Sequence, residues 1–357
     1  MPAILFCLTA LLRPALAATI TDLGTLGGSD SYALGINANG QVVGYSYTAG
    51  DAAYHAFLYS GGGMNDLGTL GGTSSRATGI NASGQVVGYS YTAGDAAYHA
   101  FLYSGGGMSD LGTLGGSDSL ALGINASGQV VGESDTSAPN SFHAFLYSGI
   151  SMTDLGTLGG RWSGATAIND DGLVAGYSLA ADNFAERAFL YSDGSMTDLG
   201  TLGSSITAAI GINAVGQVVG VSQPTRGVGH AFLYSGSSMI DLGTLGGFQS
   251  EADGINASGQ VVGWSFMPIG YPQHAFLYSG GTMTDLNSLL PADSGWELSG
   301  AVAINDSGQI VGSGIINGQT HAYLLDTTPE PGSMALLSIG LVAGCLRRWL
   351  RPGKHQR

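Results

Sequence analysis

A 44-residue block repeats along most of this chain, and this repetition constrains the fold more than any other feature. Its marker is Asp-Leu-Gly-Thr-Leu-Gly-Gly, intact in five copies and altered in two. The copies begin at Asp22, Asp66, Asp110, Asp154, Asp198, Asp241 and Asp285. Successive copies are 44 residues apart, with one spacing of 43. A fixed period of this length indicates a solenoid or a propeller, in which each repeat is one supersecondary unit.

Each unit contains four segments typical of short strands. In the second unit we predict strands over residues 77–81, 85–90, 99–103 and 108–112. The tetrapeptides at 81–84 and 104–107 are tight-turn signals, because glycine supplies the positive φ that two-residue hairpins need. Two hairpins in each unit predict a four-stranded antiparallel sheet.

The central strands of each unit are apolar on both faces. Val-Val and Ala-Phe-Leu-Tyr are continuous apolar runs, which indicates strands buried on both sides. A propeller blade meets this demand, because every sheet packs between two neighbours. We therefore predict an all-β, seven-bladed β-propeller of four-stranded blades. A β-solenoid is the alternative, although it would favour a shorter coil and fewer hairpins.

The last unit lacks a fourth strand. Its strand 321–325 runs directly into Thr327-Thr328-Pro329, whereas a strand-like segment at 19–24 precedes the first complete unit. We expect this N-terminal strand to close the last blade, which would remove both exposed edges. The predicted propeller domain is then 18–327.

Both ends of the chain have the composition of export signals. Residues 1–17 hold an apolar run followed by Ala15-Leu16-Ala17, which predicts a signal peptide cut by signal peptidase. A buried N-terminal strand or helix is the alternative. Residues 328–357 hold Pro329, Glu330 and Pro331, an uncharged apolar segment, and then Arg347 and Arg348. That order resembles the PEP-CTERM sorting domain.

The PEP-CTERM resemblance implies recognition by an exosortase of a Gram-negative bacterium, with a transient tether of the apolar C-terminal segment to the inner membrane as a transmembrane helix. The mature protein would be extracellular or held at the cell surface. A second resemblance rests on His-Ala-Phe-Leu-Tyr, which begins at His55, His99, His143, His230 and His274 and is altered at Arg187 and His321. It is similar to the HAF-repeat family of extracellular proteins, which implies a location and a repeat type but no activity.

The repeat region is strongly acidic. Between Asp22 and Glu330 the chain has 25 acidic side chains and four arginines, which give a net charge of −21 with histidine neutral. This charge argues against nucleic acid as a partner. The two cysteines, Cys7 and Cys345, lie in the terminal segments, so we expect no disulfide within the repeats.

The recurring histidines are predicted to be structural. Equivalent residues of a propeller lie on separate blades, so we expect each histidine to hydrogen-bond within its own blade to a recurring aspartate. The replacement Arg187 favours a donor role over metal binding. The acidic turns at 169–172 and 305–308 resemble fragments of calcium loops, and we interpret them as variants of the hairpin turn.

Sequence variation concentrates on one predicted face, in the links between second and third strands and between blades. It includes segments 135–142, 179–186, 223–229 and 266–273. Exposed aromatic and polar residues there suit a sugar or a protein partner, with unconstrained drift as the alternative. The candidate binding residues are Tyr47, Asp51, Tyr91, Asp95, Trp162, Asp182, Trp264, Trp296 and Glu297.

These features predict a non-enzymatic interaction scaffold that binds an extracellular polysaccharide or a surface protein. A polysaccharide-active enzyme using carboxylates such as Glu297 or Asp182 is one alternative. A Ca²⁺-stabilised matrix protein is the other. We expect no cofactor, apart from Ca²⁺ under that last alternative, and no metal-binding or catalytic residue is assigned.

Overall fold

The computed structural model describes residues 18–270 and 272–327. Both expected export signals, at 1–17 and 328–357, lie outside these residues. The described chain is all β apart from two short 3-10 helices, Ala93–Asp95 and Leu286–Leu289. No helix within it is long and apolar enough to cross a membrane.

The strands form four-stranded antiparallel sheets that follow one another along the chain. After β1 (Thr19–Asp22), the first sheet has β2 (Gly27–Ile36), β3 (Val42–Thr48), β4 (Tyr54–Ser60) and β5 (Gly63–Asp66). The second has β6 (Gly71–Ile80), β7 (Val86–Thr92), β8 (Tyr98–Ser104) and β9 (Gly107–Asp110). The third has β10 (Gly115–Ile124), β11 (Val130–Thr136), β12 (Phe142–Tyr147) and β13 (Met152–Asp154). A single parallel residue pair, Phe142 with Trp162, joins it to the fourth.

The fourth sheet has β14 (Gly159–Ile168), β15 (Val174–Ala180), β16 (Glu186–Ser192) and β17 (Ser195–Asp198). The fifth has β18 (Thr207–Ile212), β19 (Val218–Thr225), β20 (Val228–Ser235) and β21 (Ser238–Gly243). The sixth has β22 (Ser250–Ile255), β23 (Val261–Phe266), β24 (Gln273–Ser279) and β25 (Thr282–Asp285). The last has β26 (Trp296–Ile304), β27 (Gln309–Ile316), β28 (Gln319–Asp326) and β1.

The two ends of the described chain share the last sheet. Strand β1 pairs antiparallel with β28, so that Thr19 faces Asp326 and Asp22 faces Tyr323. The expected completion of the last sheet by the N-terminal strand is thus confirmed.

The asparagine that follows the first strand of each sheet links neighbouring sheets. The side-chain amide of Asn37 donates to the backbone carbonyl of Asn81 at 3.0 Å. The equivalent asparagine of each following sheet donates in the same way to the next one, from Asn81, Asn125, Asn169, Asn213 and Asn256. Asn305 of the last sheet donates to the carbonyl of Asn37 in the first sheet at 3.1 Å. The sheets therefore follow one another around a closed circle, an arrangement consistent with a propeller-like fold.

Apolar side chains fill the space between neighbouring sheets, as the continuous apolar runs predict. Between the first two sheets, Val43 and Ala56 pack against Val86 and Phe101. Glycine follows each Val-Val or equivalent pair because backbone approaches closely there. A Cβ on Gly44 would lie 1.9 Å from the carbonyl oxygen of Tyr32, so a larger residue cannot fit.

The first strand of most sheets begins earlier than predicted. Strand β6 starts at Gly71 instead of residue 77, because Gly71 pairs with Thr92 across a register shift. The hydroxyl of Ser75 supports this extension by donating to the carbonyl of Gly68 at 2.5 Å. As a consequence, Trp162, predicted to lie in a link between blades, belongs to a strand.

Candidate functional site

Each recurring histidine pairs with an aspartate of its own sheet. Nδ1 of His55 lies 2.7 Å from a carboxylate oxygen of Asp66. The equivalent pairs, at 2.7–2.9 Å, are His99–Asp110, His143–Asp154, His230–Asp241, His274–Asp285 and His321–Asp22. Arg187 takes the same place beside Asp198, at 3.8 Å. The predicted hydrogen bond from each recurring histidine to an aspartate of its own sheet is confirmed, and these histidines do not converge.

The acidic turns are hairpin turns, as interpreted from the sequence. Gly172 closes one of them with φ of 81°. Its Asp170 accepts a hydrogen bond from the backbone N–H of Ala126 at 2.8 Å, and Asp306 does the same for Ala257. Within residues 18–270 and 272–327 no group of three or more His, Cys, Asp or Glu side chains is arranged to hold a metal ion.

The candidate aspartates accept hydrogen bonds from backbone N–H groups. Asp51 accepts from the N–H of Ser29 and Asp95 from that of Thr73, each at 2.7 Å. Asp182 accepts from the two N–H groups of Phe184 and Ala185, and these bonds lower the pKa of its carboxyl. All three carboxylates therefore hold loops in place.

The other candidate residues are distributed over several sheets. Tyr47 and Tyr91 each pack edge-on against a tyrosine of the same sheet, and Trp264 packs against Phe266. Trp296 lies half-buried against Tyr323 of the core, next to the exposed Glu297. The structure does not bring the nine candidates together into one site.

One candidate, Trp162, lines a cavity between the third and fourth sheets. Its ring stacks on Phe142 with centroids 5.5 Å apart and planes inclined by 10°. The indole Nε1 donates to the carbonyl of Asn140 at 3.1 Å, and the Arg161 guanidinium carbon lies 4.9 Å from the Trp162 ring centre. Backbone contacts and stacking thus fix the orientation of the indole.

This aromatic cavity has a volume of about 530 Å³. Its polar lining includes Asp135, whose carboxylate accepts from the Ser117 hydroxyl at 3.0 Å. Its remaining lining residues are Gly115, Gly116, Thr136, Ser137, Ala138, Pro139, Asn140, Ser141, Phe142 and Trp162. Among the described residues, a corresponding cavity on the sixth sheet is lined by Phe248 and Phe266 and by no carboxylate.

A second cavity, here called the central cavity, is lined by the first strand of every sheet. Its volume is about 440 Å³, and Arg76 and Asp253 are its charged lining residues. Sequence reasoning missed this cavity. A signal was available, because Arg76 replaces Tyr32 or Leu120 and Asp253 replaces Leu34 or Leu122 at equivalent repeat positions.

Asp253 forms a carboxyl pair with Glu251 on the same strand. Burial and the neighbouring Glu251 charge raise the pKa of Asp253 well above its usual value. Burial also raises the pKa of Glu251, while hydrogen bonds from Trp264 and Asp253 oppose that shift. Asp253 therefore keeps its proton to a higher pH than an ordinary aspartate does, and in that form its carboxyl donates to Glu251.

A polar contact between two side chains joins the third and fourth sheets. The hydroxyl of Tyr177 donates a short hydrogen bond to the carboxylate of Glu133. Burial raises the pKa of Glu133, with the tyrosine bond acting in the opposite direction. Gly164 leaves the room for this contact, because a Cβ there would lie 2.7 Å from the Glu133 carboxylate.

Comparison with known protein families identifies one segment of the chain. Residues 327–348 match the PEP-CTERM protein-sorting motif. This motif indicates an extracellular protein sorted by an exosortase, with a C-terminal membrane anchor of Gram-negative type. The predicted sorting residues fall within the match, outside the described residues. No curated protein matches the sequence, and the HAF-repeat resemblance stays a prediction.

The repeat region resembles one solved structure in fold. A puromycin-hydrolysing peptidase of Mycobacterium tuberculosis aligns over 88% of this chain and 55% of its own, with 13% identity and a TM-score of 0.55. TolB from Acinetobacter baumannii aligns over 85% of this chain and 64% of its own, with 12% identity and a TM-score of 0.45. The chain spans about half to two thirds of these proteins. At such identities the likeness concerns the fold alone.

Proposed function

We propose that this protein is a non-enzymatic scaffold of the cell exterior, a seven-bladed β-propeller that binds polysaccharide through the aromatic cavity. The signal peptidase and an exosortase would process it, and the mature propeller would be 18–327. Support for seven blades comes from the circle of asparagine bonds, in which the seventh, Asn305, returns to Asn37.

The single observation that carries the binding proposal is the stacked pair of Phe142 and Trp162 beside the Asp135 carboxylate. Sugar rings present apolar C–H faces and polar hydroxyl edges, so they suit a wall that combines an aromatic surface with hydrogen-bonding groups. The cavity volume of about 530 Å³ lies in the usual range for small-ligand sites, roughly 300–1,000 Å³.

The charge of the protein further narrows the class of polysaccharide that we expect to bind. A repeat region with net charge −21 repels polyanions at a distance. The lining of the aromatic cavity also includes the acidic residue Asp135. We therefore expect neutral polysaccharides to bind more tightly at this cavity than sulfated or phosphorylated ones.

A glycan array with the purified protein tests this proposal. Neutral oligosaccharides should bind, and Trp162→Ala and Asp135→Asn should each weaken binding about tenfold, the effect of about 1.4 kcal/mol. Phe248→Ala is the matched control, because it truncates an aromatic side chain at the cavity that lacks a carboxylate. Binding that survives both Trp162→Ala and Asp135→Asn would place the ligand elsewhere.

Turnover assays separate the scaffold from the enzyme alternative. Incubation with candidate polysaccharides should release no reducing ends. Depolymerisation that is lost in Glu297→Gln or Asp182→Asn would replace the scaffold proposal with a carboxylate-dependent hydrolase. A melting temperature that falls on addition of EDTA would instead favour the Ca²⁺-stabilised matrix protein.

A further inference from the structure

Arg76 is the basic residue among the described lining of the central cavity, and one of its guanidinium donors has no acceptor in the part of the chain that the structure describes. Nε of Arg76 is buried without a hydrogen-bond partner. Within residues 18–270 and 272–327, Arg76 forms no ion pair, although the histidines and Arg187 each pair with an aspartate. An unpaired buried donor on a charged group costs more free energy than a neutral one, so such a group is normally satisfied.

The neighbour of Arg76 does not supply an acceptor. Its guanidinium carbon lies 4.9 Å from the ring centre of Tyr45, a cation–π contact that uses none of the N–H donors. Burial raises the pKa of Tyr45 to about 12, so its phenol is neutral at physiological pH. Packing on Tyr45 therefore orients the guanidinium without using any of its N–H donors.

The repeat itself indicates that an arginine is not needed here for folding. Tyr32 of the first unit, Leu120 of the third and Ala208 of the fifth occupy the equivalent position. An apolar residue at this position is therefore compatible with the same sheet. The charge at Arg76 is a special feature of one unit in a region that has only four arginines.

We infer that the central cavity binds a carboxylate ligand of the size of a sugar acid, held by the guanidinium of Arg76. A planar guanidinium can hold a carboxylate through two parallel N–H···O bonds. Asp253 on the opposite part of the lining can accept a hydrogen bond from a ligand hydroxyl.

Charge favours a monoanion over phosphate. The surrounding net charge of −21 penalises a dianion more strongly than a monoanion, and one arginine neutralises one negative charge. The volume of about 440 Å³ lies within the range of small-ligand sites, roughly 300–1,000 Å³. This site goes beyond the proposed polysaccharide binding, because the two cavities share no lining residue.

Isothermal titration of the purified protein with glucuronate, glucose, acetate and inorganic phosphate tests the inference. Glucuronate should bind more tightly than acetate, since it also offers hydroxyls, whereas glucose and phosphate should bind at least tenfold more weakly. Arg76→Leu, which copies Leu120, should weaken glucuronate binding at least tenfold, the loss expected for a charge-assisted hydrogen bond. Arg226→Gln, which removes the same charge from an exposed turn, should have no effect.

Three results would overturn the carboxylate site: no glucuronate binding by the wild-type protein, equal binding of glucose, or unchanged binding in Arg76→Leu. If Arg76→Leu does not fold, Arg76→Lys keeps the charge but loses the planar fork. Lysine should then weaken glucuronate binding without abolishing it, and unchanged binding would also contradict the inference. Because Trp162→Ala and Arg76→Leu act on separate cavities, either proposal can fail alone.

Discussion

His321 and Asp22 lie at opposite ends of the described chain, yet Nδ1 of the histidine is 2.9 Å from both carboxylate oxygens of the aspartate. Every other copy of this pair joins two strands 11 residues apart in sequence, as in His99 and Asp110. The same local contact thus becomes, at this one position, the contact that joins the termini.

A disulfide across the closing strands should stabilise the protein far more than the same disulfide inside a sheet. Thr21 faces Leu324, and Asn65 faces Leu58 at the equivalent position of the first sheet. By chain entropy, a loop of roughly 300 residues should contribute about 3 kcal/mol more than one of roughly eight. Melting of the oxidised and reduced Thr21→Cys/Leu324→Cys and Leu58→Cys/Asn65→Cys proteins compares them. Equal gains would contradict closure by β1.

The asparagine circle should be sensitive to loss of its amide donor. Asn125 is buried, and its Nδ2 donates to Gln129 Oε1 at 2.8 Å and to the Asn169 carbonyl at 3.2 Å. Asn125→Asp would place a carboxylate against both acceptors, so we expect a loss of about 3 kcal/mol in the free energy of unfolding. Denaturant unfolding measures it.

Asn39→Asp provides the matched control for the asparagine circle. Asn39 also donates between sheets, to the carbonyl of Ala82 at 3.0 Å, but its side chain is exposed. Water can solvate a carboxylate at that place, so a loss below about 1 kcal/mol is expected. Similar losses for the two variants would show that burial at Asn125 is not what matters.

The Glu133–Tyr177 contact should be coupled across two sheets. Tyr177→Phe leaves the half-buried carboxylate without its donor, and we expect a loss of about 1–3 kcal/mol in the free energy of unfolding. Tyr89→Phe changes the equivalent residue of the second unit, whose hydroxyl makes no hydrogen bond within the described chain, and should be nearly neutral. A double-mutant cycle with Glu133→Gln that gives no interaction energy would contradict the coupling.

The Asp253 carboxyl should make part of the stability depend on pH. Its pKa is raised in the folded protein and ordinary in the unfolded chain, so the folded state binds more protons at pH above about 4. Stability from this group is therefore gained as pH falls from its folded pKa toward about 4, by about 1.4 kcal/mol per pH unit within that window, and is lost as pH rises through the folded pKa.

Asp253→Asn should remove that dependence. The difference in melting temperature between the wild type and the variant should be larger, in favour of the wild type, at pH 5 than at pH 7. Asp193→Asn, at an exposed turn, should leave the dependence on pH as in the wild type. A constant difference between wild type and Asp253→Asn at the two pH values would contradict a protonated Asp253.

Sequence periodicity predicted the local features of this fold well. Tight-turn glycines, apolar strands and the His–Asp pairs other than His321–Asp22 all depend on residues close together in sequence, where spacing alone fixes which side chains meet. The bounds of β6 were missed because Gly71 joins the sheet through a register shift, which no local pattern signals. Candidate residues such as Trp296 were expected on the surface, but Trp296 packs on the core.

The sequence by itself determined the repeat, the four-strand unit, the incomplete last unit with its N-terminal complement, and the sorting signal. Only the tertiary structure decided which variable positions meet. Arg76 and Asp253 line one cavity because the first strands of all sheets face a common axis. Arg76 and Asp253 can line one cavity only because the circle of sheets closes. Within its own unit, each of them is one substitution among many.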